Sequence, residues 1–126
     1  MKKVLHLAVS KKWFELIASG VKREEYREIK PYWEKRLLDY KALREYAEKN
    51  IKELNVKKCL FPWRIPIEDV CEHFPADYTH VKFTNGYGVG RPSMEFEVVS
   101  ITFGKPQHGL CPDEFLDKEY FVIKFK

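Results

Sequence analysis

Apolar residues are unevenly spaced along the chain, and each change of spacing marks a change of element. From Val4 to Val9 they run almost unbroken and partly β-branched, which predicts a buried first strand. Trp13, Phe14, Ile17 and Ala18 then recur at helical intervals. They follow Ser10, which suits an N-cap, and precede Gly20, which can end a helix in the left-handed conformation, so a short helix is expected over 11–19. Lys22 to Ile29 has no apolar face, but its place after a helix stop and its Tyr26 favour a second strand. After Pro31, the residues Trp33, Leu37, Tyr40, Leu43, Ala47, Ile51 and Leu54 step by three or four through charged sequence, the pattern of one long amphipathic helix. Glu45 with Lys49 and Glu48 with Lys52 stand in the favourable i to i+4 order on its polar flank. Pro62, Pro66 and Pro75 leave room for a short helix from Pro66 to about His73.

The last third reads as β throughout: Thr79 to Phe83, Met94 to Phe103 and Tyr120 to Phe125, with Asn85-Gly86 as a turn after the first. In the middle strand Phe96 and Val98 share one parity while Val99, Ile101 and Phe103 share the other, which predicts a bulge or bend near Val98-Val99. The order of elements lacks the repeated strand–helix pairs of a doubly wound sheet. It predicts an α+β domain, a small mixed β-barrel of about five strands with helices at its mouth.

Composition narrows the class. A chain of 126 residues can close one core, so a single domain over 1–126 is expected. An apolar fraction of 44% excludes a disordered chain, and 33% charged residues without a long apolar run exclude a membrane span. The stretch Val4–Val9 is interrupted by His6 and stopped by Ser10-Lys11-Lys12, too short for a signal peptide. Cys59, Cys71 and Cys111 are odd in number and far apart, which argues against a disulfide framework and for the cytoplasm. No C-x-x-C pair occurs, and the spacings of the cysteines with His73 and His108 fit no zinc module, so no metal and no cofactor are expected. Residues 1–58 hold 16 Lys/Arg against 9 Asp/Glu, and residues 59–126 hold 7 against 10. A basic first half suggests a face that attracts polyanions.

Gly20-Val21-Lys22-Arg23-Glu24-Glu25-Tyr26-Arg27 carries the most chemistry. On a strand Glu25 and Arg27 share a face, about 7 Å apart along the chain, where carboxylate and guanidinium can hold each other while offering donors and an acceptor to a ligand. Lys22 can reach the same opening. The same charges could equally protect an exposed edge strand from aggregation. Ser10, Lys11 and Lys12 open the first helix, where free N–H groups make a natural anion site. Tyr87 and Arg91, in a loop punctuated by Gly86, Gly88 and Gly90, suit base stacking. Phe61, Trp63 and Arg64 could do the same, although packing is the commoner use of such aromatics.

The G-x-K-x-x-E-x-R pattern behind a short aromatic helix resembles the signature of the ASCH family. Phe83-Thr84-Asn85-Gly86-Tyr87 and Tyr120-Phe121-Val122-Ile123 also resemble its members in order. The resemblance implies a PUA-like barrel with a cleft beside the first helix, a helical insertion at about 34–78, and a ligand that is RNA or a nucleotide or nucleoside. Gly20, Lys22, Glu25 and Arg27 are the positions it matches, with Tyr87 beside them. The similar acetylcytidine amidohydrolases carry threonine where this chain has Glu25, so their nucleophilic mechanism does not transfer. A hydrolase on an RNA-derived substrate, whether a nucleoside amidohydrolase or a ribonuclease, is therefore the alternative reading. It would use Glu25 to activate water and Lys22 or Arg27 to hold the oxyanion. A protein-interaction module built on the insertion is a third.

Overall fold

The computed structural model describes residues 1–54 and 74–126. Its elements are β1 (Val4–Val9), α1 (Lys11–Ala18), β2 (Glu24–Arg27), α2 (Pro31–Leu37), α3 (Tyr40–Leu54), β3 (His80–Asn85), β4 (Ser93–Gly104) and β5 (Tyr120–Phe125), with one 3-10 turn over Asp113–Asp117. The predicted helix from Pro66, the Phe61, Trp63 and Arg64 cluster, and Cys59 and Cys71 lie outside the described residues. The domain is α+β, as its pattern predicts. The strands form one mixed sheet in the order β1-β3-β4-β5-β2, parallel between β1 and β3 and antiparallel elsewhere. The sheet is not closed: β1 and β2 stand at its two ends with no backbone ladder between them. No helix among the described residues is long and apolar enough to cross a membrane.

Strand β4 is long enough to serve both halves of the sheet, pairing with β3 through Ser93–Glu97 and with β5 through Val98–Gly104. Its register slips between Val98 and Ser100, where the parity of its apolar residues changes. The extra residue bends the strand and turns one half of the sheet against the other. Phe121, Ile123 and Phe125 then face the main core with Leu5, Leu7, Val9, Val81 and Phe83, over which Ile17 of α1, Leu37 of α2 and Leu43 of α3 close. The alternate residues of β5, Tyr120 and Val122, meet Tyr26, Cys111, Phe115 and Leu116 on the opposite face. Covering on both faces explains why β5 reads as a nearly continuous apolar run.

The helical stretch after Pro31 differs from the single long helix its periodicity predicts. Leu38 is extended (φ −120°, ψ 157°), forms an isolated bridge with Pro75, and separates α2 from α3. The cause is Asp39. Its N–H donates to the Phe74 carbonyl (2.8 Å) and its Oδ1 accepts from the Ala42 N–H (3.1 Å), so it caps a new helix instead of continuing the old one. Apolar spacing bridges the break because Leu37, Leu38 and Leu43 all enter the same core.

Two outcomes follow from this packing. Phe121 is wholly buried, so Phe121→Ala should lower unfolding free energy by about 3–5 kcal/mol in urea titrations. Glu34 of α2 is buried, and among the described residues its carboxyl has no hydrogen-bond or ion-pair partner. Burial raises its pKa above the ordinary 4.5. The folded protein therefore holds a proton that the unfolded chain has lost, and the associated stability, full below 4.5, disappears as pH rises through the raised value. Glu34→Gln should raise the melting temperature at neutral pH, and the gain should vanish below pH 4.5.

Candidate functional site

The site begins with the way α1 ends. Ser19 N–H donates to the Glu15 carbonyl, Gly20 N–H to Ile17 and Val21 N–H to Leu16, with Gly20 at φ +83°. This left-handed cap needs glycine and reverses the chain at once. A second bond to the Leu16 carbonyl, from Lys22 N–H (3.0 Å), turns the Lys22 side chain into the protein. There it is 1% exposed. Its ammonium donates to the Leu110 carbonyl and lies 3.3 Å from Glu25 Oε1, 4.6 Å from the centre of the Tyr26 ring and 5.1 Å from that of Trp13. Burial pushes the Lys22 pKa below its ordinary value, and the Glu25 carboxylate opposes that shift.

Strand β2 places Glu25 opposite Ile123 and Arg27 opposite Phe121, so both charged residues project on the core-facing side of the sheet. Glu25 Oε2 accepts from Arg27 Nη2 (2.9 Å), while Oε1 accepts from the Tyr26 N–H (3.1 Å) and faces Lys22. The three residues form one chain of charges, cation–anion–cation. Arg27 extends it. The same Nη2 donates to the Ala8 carbonyl on the free edge of β1 (3.1 Å), and the guanidinium lies 5.0 Å from the centre of the Trp33 ring. A single side chain thus spans the gap that the backbone leaves open between β2 and β1. Its buried Nε has no partner among the described residues.

Beside that guanidinium lies a cavity of about 360 Å³. His6, Leu7 and Ala8 of β1 form one wall, Arg27, Lys30, Tyr32 and Trp33 form the other, and Tyr87 from the β3–β4 loop overhangs it. The loop is folded back by bonds from Gly86 N–H to the Val9 carbonyl and from Asn85 N–H to the Pro92 carbonyl, which leaves Tyr87 85% exposed at the rim. Among the described residues the lining holds three aromatic rings, an arginine, a lysine and a histidine, and no carboxylate.

The sequence-derived candidates divide sharply in space. Lys22, Glu25 and Arg27 come together, but only Arg27 reaches the cavity, with Lys22 and Glu25 behind it. Tyr87 lines the cavity. Arg91 serves its loop by donating from Nε to the Tyr87 carbonyl (3.2 Å). Ser10 makes no side-chain cap bond, Lys11 pairs loosely with Glu15 (3.9 Å), and Lys12 lies over Trp13 (4.7 Å); none of the three lines the cavity. Periodicity assigned Trp33 to a helix face and passed over His6, Lys30 and Tyr32. The available signal was Lys30-Pro31-Tyr32-Trp33, a basic residue and two aromatics around a proline shortly after β2.

Because Glu25 serves two cations, Arg27→Ala still leaves it paired with Lys22. Glu25→Gln, which leaves two cations facing a neutral amide, should be the costlier change, at about 3–5 kcal/mol in urea titrations. Adding Lys22→Met to Glu25→Gln should recover part of that loss. Equal costs for Arg27→Ala and Glu25→Gln would contradict the shared-carboxylate arrangement.

Comparison with known proteins finds no match for this chain: no family model fits it, no curated protein matches its sequence, and no solved structure matches its fold.

Proposed function

We propose that this domain binds RNA or a nucleotide derived from it in the cleft between β1 and β2. In this reading the sheet is a PUA-like barrel left open at that seam, and the protein works in the cytoplasm. The observation that carries the proposal is the cavity lining. Tyr32, Trp33 and Tyr87 bring aromatic rings for a base, Arg27 and Lys30 offer charge for a phosphate, and among the described residues no carboxylate lines the cavity to oppose it. Stacking on aromatic faces together with cationic backbone contacts is how single-stranded nucleic acids are commonly held. Arg27 is already oriented by Glu25 and Ala8, so it loses little side-chain freedom when a ligand arrives. The ASCH resemblance points the same way, and the basic first half of the chain adds long-range attraction.

The hydrolase reading has one feature in its favour, a buried lysine of lowered pKa beside a carboxylate. It is the weaker of the two. Lys22 is 1% exposed, its ammonium is engaged by Leu110 and Glu25, and it is not among the residues lining the cavity. A reacting atom in the cleft would meet Arg27 first.

Tyr87 and Lys30 are exposed, so changing them tests the cleft without disturbing the core. Tyr87→Ala should weaken nucleotide binding by about 1–3 kcal/mol, the range for a lost base–aromatic stack. Lys30→Gln should flatten the dependence of log K on log salt by about 0.7 for single-stranded RNA. Quenching of tryptophan fluorescence in titrations would measure both, since Trp33 lies in the cleft. Unchanged affinity in both variants would place the ligand elsewhere.

A further inference from the structure

We propose that the cleft continues into a second, phosphate-binding subsite at the far end of α2, so that the ligand is a single-stranded RNA several nucleotides long and not a free nucleotide. The inference rests on reading the first cavity as a nucleotide site. A second cavity of about 440 Å³ lies where α2 gives way to α3, and its charged lining is Lys3, Lys35, Arg36, Asp39, Lys41 and Asp77. Each carboxylate has a partner, but only the partner of Asp77 is a cation. Asp77 pairs with Lys3 at 2.5 Å, and Asp39 accepts the Ala42 N–H at the start of α3. Lys35, Arg36 and Lys41 remain, and among the described residues none of them pairs with a carboxylate. With Lys3 and Asp77 paired, three cations face the single remaining carboxylate of Asp39, so the hollow stays net positive, and a polyanion relieves the remaining repulsion among the cations.

The linings of the two cavities touch through one pair of side chains. Tyr32 lines the first, and the Arg36 guanidinium, which lines the second, lies 3.6 Å from the centre of the Tyr32 ring, with Nη1 donating to the Tyr32 carbonyl (3.0 Å). One helical turn, about 6 Å along the axis from residue 32 to residue 36, carries the lining from aromatic to cationic. A mononucleotide held by Arg27 and Lys30 would leave Lys35, Arg36 and Lys41 without a ligand. A strand leaving the cleft over the Tyr32–Arg36 stack would bring its next phosphates to them. An acidic peptide could satisfy the same charges, but it would make no use of the three rings that begin the path.

The test compares the wild type with Lys35→Gln/Lys41→Gln, two exposed positions outside the first cavity. Each protein is titrated with a mixed-sequence octaribonucleotide and with the four 5′-mononucleotides, at about 50 and about 200 mM salt. The octamer should bind the wild type at least roughly tenfold tighter than any mononucleotide, and mononucleotide affinity should be the same in both proteins. Two lost phosphate contacts should flatten the octamer salt slope by about 1.4, so that the wild type loses roughly sevenfold more affinity than the variant across that salt range. Equal slopes, or an octamer no tighter than a mononucleotide, would overturn the second subsite and leave the cleft standing. Failure of both octamer and mononucleotides to bind either protein would overturn the cleft reading, and this inference with it.

Discussion

Glu25 puts a carboxylate on the core-facing side of an edge strand, and cations from its two flanks make that position tenable. A lone charge there would be costly to bury; held between Lys22 and Arg27, with the Tyr26 N–H as a further donor, it organises its surroundings. Lys22 arrives only because Gly20 reverses the chain at the end of α1. Arg27, braced by Glu25, reaches across to the Ala8 carbonyl and lies over Trp33. The first helix, the two terminal strands of the sheet and the start of α2 are therefore tied to one carboxylate.

That arrangement also decides what the open seam is like. Between two sheet edges one expects unpaired backbone groups, which invite pairing with another chain. Here one carbonyl of β1 is taken by Arg27, and the remaining space is occupied by rings from α2 and the β3–β4 loop. The gap becomes a cavity with a basic floor. Its positive lining comes from geometry: Glu25 faces inward to its cations, and of the three charged residues the cavity meets only Arg27.

Much of this was legible in the residues. The strands, the glycine stop, the bulge near Val98-Val99 and the pairing of Glu25 with Arg27 all follow from short-range pattern and from the rule that a charge turned inward needs a partner. Three features did not. The break at Leu38 depends on Phe74 and Pro75, distant in sequence, meeting Leu38 and Asp39, and Asp39 is an N-cap only in that company. Lys22 looked like an arm able to swing over an opening, but its burial is set by Leu110, on a segment no local rule connects to it. Tyr32 and Trp33 face the cavity because α2 is a separate short helix, and a single long helix would give them other neighbours. In each case the missing information was a contact between segments far apart in the chain.

The order of the sheet has a consequence for synthesis. β1 ladders with β3, and β2 ladders only with β5, whose residues leave the ribosome nearly a hundred positions later. Until then β2 has no strand beside it, and Glu25, Lys22 and Arg27 have no reason to leave water. Contacts this distant in sequence make folding slow and late. The basic surplus of the first half thus stays unmasked at this seam until β5 emerges to pair with β2.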